Sequence, residues 1–399
     1  MDHDAFREEE VIAVAAISVL VLLLVLSKHL WQSPYLTGAA PIVLFAFWSV
    51  IQQLFIERGS ITFGLKYAVV LLSCFIPAWV AMWIGPFALA AERTIDRAIR
   101  SLLIVSAATV YASFAFGWGE VHVGGESMSR AFGWLGDSFA PVFAFFVIYY
   151  IVQRQYTLTL LALGAMIITG GKAAAMMLLV AYGVYVFATK GVRSKILVLL
   201  LYAVGAGVIL GPYSNEVAAL LSRNMVEYSY YTRVLSIEIG LEYFQRAPLT
   251  GVGINQSMVD IQHDTVALAE SLGLDTYYEI YQIHNAFVRT AAETGLPGVI
   301  LLLWFVLATC RVGLRGVRLS FVAANPLSKA LLSASGVWVV SFVLVYQTTG
   351  WFEAGHPQLS WLMVFVAISR IIQLRQRPQY SSAGRAWVKP ATAIPFGSK

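Results

Sequence analysis

Apolar residues run along this chain in long blocks, broken by short polar intervals. Blocks long enough to form bilayer-crossing helices lie at about 11–27, 36–56, 67–84, 98–118, 138–152, 156–170, 172–189, 195–211, 285–310, 329–349 and 357–374. A crossing helix needs roughly 20 apolar residues, and its backbone must satisfy its own hydrogen bonds because lipid offers no partners. The pattern predicts an all-α polytopic membrane protein of about eleven transmembrane helices, with ten to twelve as the range. The short blocks between 138 and 189 would turn at Gly170-Gly171. Only one polar interval is long, 212–284. It divides the chain into transmembrane helices over 1–211, a loop over 212–284, further transmembrane helices over 285–374 and a basic tail over 375–399.

Composition agrees with that division. Hydrophobic residues make up 59% of the 399 positions and charged residues only 12%. A soluble domain carries about a quarter charged residues, so an ordinary cytosolic enzyme, a disordered chain and a disulfide-stapled secreted domain are excluded. Cys74 and Cys310 both lie in apolar runs, which argues against a bridge and offers no metal-ligand spacing. The first apolar block follows the acidic 2–10 stretch, so no cleavable signal peptide is expected.

The formal charge is +5, and its distribution gives the orientation. Of the 27 basic residues, 18 fall in one set of alternate loops and the tail, including Arg93, Arg97, Arg100, Lys190, Arg193, Lys195, Arg311, Arg315 and Arg318. By the positive-inside tendency that set is cytoplasmic. The loop 212–284 then faces the periplasm. The basic balance belongs to the inner face and implies no nucleic-acid partner. The outer face, with the other nine basic residues, is net acidic, which singles out its cations near the membrane, Lys172 and Arg233 above all.

Residues 229–245 of the loop carry helical periodicity, with Arg233, Ile237, Leu241 and Phe244 on one face and Glu238, Glu242 and Gln245 on the other. An amphipathic helix at the outer boundary is expected. It stops at the turn signal Pro248-Leu249-Thr250-Gly251-Val252-Gly253. A second helical stretch is expected at about 258–272. The segment Tyr277-Tyr278-Glu279-Ile280-Tyr281 follows, either as interfacial anchors or as a platform for stacking sugars.

His284-Asn285 then opens a span. On a helix His284, Val288, Ala291 and Gly295 share a face, and the small residues below the histidine allow another backbone or a lipid chain to come close. A lone histidine is most often structural, but one at a membrane entry point can accept a proton near neutral pH. Lys172 sits between two apolar blocks, where a charge either snorkels to the surface or serves a function. Gly170-Gly171-Lys172 is not a P-loop, because Met166 and Ala173 stand where that motif needs Gly and Ser/Thr. Gly251-Val252-Gly253 lacks the strand–helix setting of a dinucleotide site. Arg130 opens an outer segment ending in Asp137-Ser138, and Glu353 lies in a short outer loop. Asp260, His263 and Asp264 lack further ligands, so no metal site is expected. Gathered at the outer interface near His284, these cations would suit a doubly anionic headgroup that keeps its lipid tail, such as a lipid pyrophosphate.

From Thr232 to Gly298 the chain resembles the O-antigen ligase / O-antigen polymerase superfamily of bacterial membrane glycosyltransferases, and an exopolysaccharide-polymerase-like member in particular. The resemblance is carried by Arg233, by the turn Pro248 to Gly253, by His284-Asn285-Ala286-Phe287-Val288 and by Glu293-Thr294-Gly295-Leu296-Pro297-Gly298. Gly171-Lys172 resembles the family's Ser-Arg pair, with lysine keeping the charge but not the bidentate fork. Arg130 to Ser138 resembles its Arg-x-x-Gly element, with Asp137-Ser138 departing from the usual Pro-Asn.

The resemblance implies a GT-C-type helical membrane fold in the bacterial inner membrane. It also implies glycosyl transfer from an undecaprenyl-pyrophosphate-linked oligosaccharide to a glycan acceptor, without cofactor, nucleotide sugar or metal. By the same carry-over, His284 is the general base, and Arg233, Lys172 and Arg130 bind the pyrophosphate. Asn285, Glu293, Glu353 and Tyr281 are supporting or acceptor-side residues. A polymerase is the expected activity and could work with a chain-length regulator. A ligase acting on lipid A–core is the alternative. A transporter is disfavoured, because no pair of corresponding broken spans marks an inverted repeat.

Overall fold

The computed structural model describes residues 39–56, 61–74, 76–78, 80–81, 92–117, 120–123, 126–129, 140–169, 172–189, 191–210, 223–254, 256–257, 261, 264, 266–268, 270, 283–323, 325–345 and 359–373. These residues are almost all helical. In chain order the helices are α1 (Ala39–Ile51, continued by a 3-10 turn, Gln52–Leu54), α2 (Ile61–Ser73), α3 (Glu92–Phe116), α4 (Ala140–Val152), α5 (Tyr156–Ile168), α6 (Lys172–Thr189), α7 (Val192–Leu210), α8 (Arg223–Arg246), α9 (Ala286–Ser320), α10 (Pro326–Val345) and α11 (Leu359–Gln373). Every apolar block read from the sequence after the first overlaps one of them, and the first, 11–27, lies outside the described residues. Among the described residues, three helices are long and apolar enough to cross a membrane alone, Thr94–Phe116, Ala286–Ser320 and Pro326–Val345.

Aromatic residues of α4 and α10 build the main core. Phe143, Phe146, Tyr149 and Tyr150 of α4 are buried, and Trp338 of α10 is enclosed. The Trp338 ring stacks on Phe342 at 4.8 Å between centroids, packs on Phe365 of α11, and donates its indole N–H to the carbonyl of Pro141 at 2.7 Å. A buried indole needs such a partner. Helices α9 and α10 cross where Gly313 faces Gly336. A Cβ on Gly336 would lie 2.6 Å from the Gly313 carbonyl oxygen, so only glycine permits that approach. The outward faces are apolar and exposed: Val192, Leu197 and Leu200 on α7, and Ile300, Leu303, Trp304 and Leu307 on α9. Exposed apolar surface on this scale fits a lipid solvent rather than water.

One element departs from the all-α expectation. Glu120–Val123 (β1) and Glu126–Ser129 (β2) form an antiparallel pair, with Glu120 opposite Ser129 and Val123 opposite Glu126. The signal was present in the sequence: Gly124-Gly125 between two short alternating runs is a two-residue hairpin signature. The search for long apolar blocks passes over it.

Candidate functional site

Helix α8 covers the amphipathic stretch expected at 229–245, with a different buried face. Leu235, Ser236, Ile239, Gly240 and Tyr243 point inward, whereas Leu241 is 44% exposed and Ile237 and Phe244 are half-buried. The inward residues join Ile261, Ile283 and Ala292 in a small core of their own, with Val252, Leu268 and Val288 around it. The sequence reading chose the face containing Arg233. Packing chose the next one round, because it meets the start of α9. Gly240 permits that contact, since a Cβ there would lie 2.5 Å from Val288 Cγ1. The described positions of the expected second helix, among them Ile261, Asp264 and Leu268, are helical. Asp264 accepts from the Tyr243 hydroxyl at 2.7 Å and lies 3.9 Å from Arg246, which also pairs with Glu242 at 2.5 Å. These contacts give Asp264 a structural role within the loop. The Glu242 carboxylate raises the Arg246 pKa.

Helix α9 is two helices in succession. Gly295 has φ +66° and ψ −166°, outside any helical conformation, and Pro297 follows. Pro297 then occupies the first turn of the second piece, where its missing N–H costs nothing. The first piece, Ala286 to Thr294, is an arm of about two turns. Asn285 caps it, its side-chain oxygen accepting from the amides of Phe287 and Val288, both at 3.0 Å. The break leaves carbonyls at the end of the arm without helical partners. The turn after α8 supplies them: Val252 N–H donates to the Ala292 carbonyl at 2.8 Å and Gly253 N–H to the Glu293 carbonyl at 3.1 Å. Leu296 N–H donates back to the Pro248 carbonyl at 2.8 Å, and the Trp48 indole of α1 donates to the Thr294 carbonyl at 2.8 Å.

These bonds make a latch between the turn and the break. Gly251 has φ +69°, and a Cβ on it would lie 2.5 Å from the Glu293 oxygen and the Thr294 nitrogen. A Cβ on Gly295 would lie 2.5 Å from the Leu249 oxygen. The Pro248–Gly253 and Glu293–Gly298 motifs are thus two halves of one backbone contact. The close approach of another backbone, expected from the small residues after His284, is made by this turn.

His284 immediately precedes the capping residue and is half-buried. Its backbone N–H donates to Ser236 Oγ at 3.3 Å, and Ser236 Oγ donates to the Arg233 carbonyl at 2.9 Å. Burial lowers the imidazole pKa from its ordinary value, and the positive charges of Arg233 and Arg289 lower it further. Each of these favours the neutral ring, the form that can accept a proton. Arg233 is exposed. Asn285 acts as a cap, and Glu293 is a buried ion-pair partner: its Oε1 lies 3.1 Å from Arg289 Nε and accepts from Ser257 Oγ at 2.6 Å.

The structure therefore brings His284, Arg233, Asn285 and Glu293 into one region. Lys172 is the first residue of α6, a helix that packs against both α9 and α10. Arg130, Tyr281 and Glu353 lie outside the described residues. Among the described residues, no three His, Cys, Asp or Glu side chains gather as metal ligands. Sequence reasoning did not place Ser236, Ser257 or Trp48 here, since each joins through a contact remote along the chain. The pairing of Arg289 with Glu293 was readable from its four-residue spacing.

Apolar helices with exposed apolar faces fit an integral membrane protein. Residues 157–303 match the family described as O-antigen ligase, a span running from α5 through α8, the turn and His284 to the second piece of α9. The match is consistent with the O-antigen ligase / polymerase superfamily, whose members are integral inner-membrane glycosyltransferases acting on lipid-linked glycans. No curated protein matches the chain.

Proposed function

We propose that the protein is a polysaccharide polymerase that joins undecaprenyl-pyrophosphate-linked repeat units on the periplasmic face, with His284 as general base. The observation that carries this reading is the neutral, half-buried His284, anchored by Ser236 beside the cations Arg233 and Arg289. His284 takes the proton of an acceptor hydroxyl as that oxygen bonds to the anomeric carbon of the donor. The bond from that carbon to the phosphate oxygen breaks, and the lipid pyrophosphate leaves with the electron pair. Arg233, Lys172 and Arg130 bind that growing negative charge, so the step runs on side-chain cations without a metal. Asn285 and Glu293 hold the arm in place, while Glu353 and Tyr281 belong to the acceptor side.

The topology is part of the proposal. About eleven helices cross, the loop 212–284 is periplasmic, and the tail 375–399 is cytoplasmic. The second piece of α9, from Pro297 to Ser320, is roughly 36 Å long and long enough to cross by itself. The arm with His284 then belongs to the periplasmic loop rather than to the span.

A ligase that transfers finished glycan to lipid A–core is the second reading, favoured by the description of the matching family. Reconstitution with a lipid-linked oligosaccharide separates the two. A ladder of lengths formed from that lipid alone supports the polymerase. Product that forms only when lipid A–core is supplied supports the ligase. No new glycosidic bond under either condition contradicts both and leaves a transporter.

A further inference from the structure

Helix α3 packs chiefly on α5, and polar contacts pin it near both ends. Near its start Asp96 accepts from the Tyr149 hydroxyl of α4 at 3.1 Å, and near its end the Tyr111 hydroxyl donates to the Leu161 carbonyl of α5 at 3.2 Å. Between α3 and α11 a recess of about 330 Å³ remains. Among the described residues, only apolar and aromatic side chains line it. Ile95, Ile99 and Leu102 form the α3 wall, Phe145 and Phe146 of α4 the floor, and a stripe from Trp361 to Ile372 the α11 wall.

Such a lining offers water too few polar partners to hold it, so hydrocarbon is the fitting occupant. Phe145 and Phe146 are 3% and 1% exposed, whereas Ile95, Ile99 and Leu102 on one wall and Trp361 and Ile368 on the other are half-buried. The recess is therefore closed at its floor and open between α3 and α11. One turn beyond Leu102 the exposed Val105 carries the apolar surface on to the outward face of α3, so the opening meets lipid. The α11 stripe rises roughly 16 Å, about half of a hydrocarbon core ~30 Å thick, which is the reach of a chain from one leaflet. Asp96, Arg100 and Gln153 mark the polar boundary beside Ile95 and Ile99, the level at which a headgroup would sit.

The place of the recess in the bundle separates it from the site of the proposed reaction. Leu331, five residues into α10, lines it. Because the short link 321–325 joins α10 to the far end of α9, that part of α10 lies at the end of the bundle away from the His284 arm. A lipid held by its pyrophosphate at Arg233 has its headgroup at the opposite end.

We propose that the recess is a phospholipid site: one acyl chain from the leaflet on the Arg100 side, cytoplasmic in the proposed topology, fills it and joins α3 to α11. The inference is independent of the reaction assigned to His284.

The test is photolabelling of the full chain in nanodiscs of phosphatidylethanolamine and phosphatidylglycerol. A fraction of the phosphatidylethanolamine carries a diazirine at the end of one acyl chain, and adducts are mapped by mass spectrometry. Lipid that merely surrounds the protein labels exposed positions such as Val192 and Leu200 of α7, but not the buried Phe145 and Phe146. The wild type is expected to carry adducts on Phe145 or Phe146. Ile99→Phe/Ile368→Phe, whose added rings occupy the recess, loses them while α7 stays labelled. Native mass spectrometry of the wild type released from the same nanodiscs shows one retained phospholipid per chain. No adduct on Phe145 or Phe146 in the wild type, equal labelling of them in the filled variant, or a retained polyprenyl lipid in place of a phospholipid would overturn the proposal. Should the filled variant not fold, the wild-type adduct map and the retained mass decide the matter by themselves.

Discussion

Gly251→Ala tests the latch between the turn and the broken helix. The added methyl meets backbone on the far side, 2.5 Å from the Glu293 oxygen and the Thr294 nitrogen, so no side chain can rotate to make room. The φ of +69° adds its own penalty, about 1–2 kcal/mol for a residue with a Cβ. Relief requires the turn to lift, which removes the bonds from Val252 to Ala292, from Gly253 to Glu293 and from Leu296 to Pro248. Each is worth ~0.5–1.5 kcal/mol net, and more where a carbonyl is left buried without a partner. A local destabilisation of roughly 2–4 kcal/mol follows from the φ penalty together with partial loss of these bonds. Backbone hydrogen exchange in nanodiscs reads it directly, as a rise of roughly 30-fold or more in exchange for 248–254 and 291–296. Gly191→Ala, at a position with nothing within 4 Å, is the control. Wild-type protection of both segments in Gly251→Ala would refute the latch.

Other expectations follow from the same geometry. Replacing Arg233 by Gln removes a charge that lowers the His284 pKa, so that value rises toward its ordinary position. Because His284 works in its neutral form, the acidic limb of the rate–pH profile moves to higher pH; a limb that stays in place would contradict the assignment. Asn285→Ala loses the cap on two amides and costs about 1 kcal/mol, measured as a fall in thermal stability, whereas Asn285→Asp or Asn285→Ser retains most of it. Trp48→Phe keeps the ring but strands the Thr294 carbonyl, which costs roughly 1–3 kcal/mol and raises exchange at 291–296 without affecting α10.

Much of this arrangement was legible in the sequence because lipid constrains it so strongly. An apolar block of the right length has few options other than a helix, so helices overlap the blocks from 36–56 onward. His284 and Arg233 stood out by their place beside the long loop, and the resemblance to the O-antigen ligase / polymerase superfamily joined them to the two glycine motifs. What periodicity did not yield was the relation between those motifs. Gly295-Leu296-Pro297 reads as ordinary small-residue packing until Gly251 is seen lying against it. The buried face of α8 was misjudged because Arg233, Ile237, Leu241 and Phe244 are one helical stripe among several, and only the approach of Val288 to Gly240 selects the other. Ser257 and Ser236 carry no signal of their own. Each acquires its role from one oxygen set against Glu293 or His284.

The central claim is that His284 accepts the proton of the attacking hydroxyl. Wild-type protein and His284→Ala, purified and reconstituted side by side, are given the same lipid-linked oligosaccharide, and the initial rate of glycosidic bond formation is compared at neutral pH. The account predicts a loss of about 100-fold or more, the contribution of a positioned base, in a variant whose melting temperature is unchanged. Transfer by that variant at the wild-type rate would contradict it.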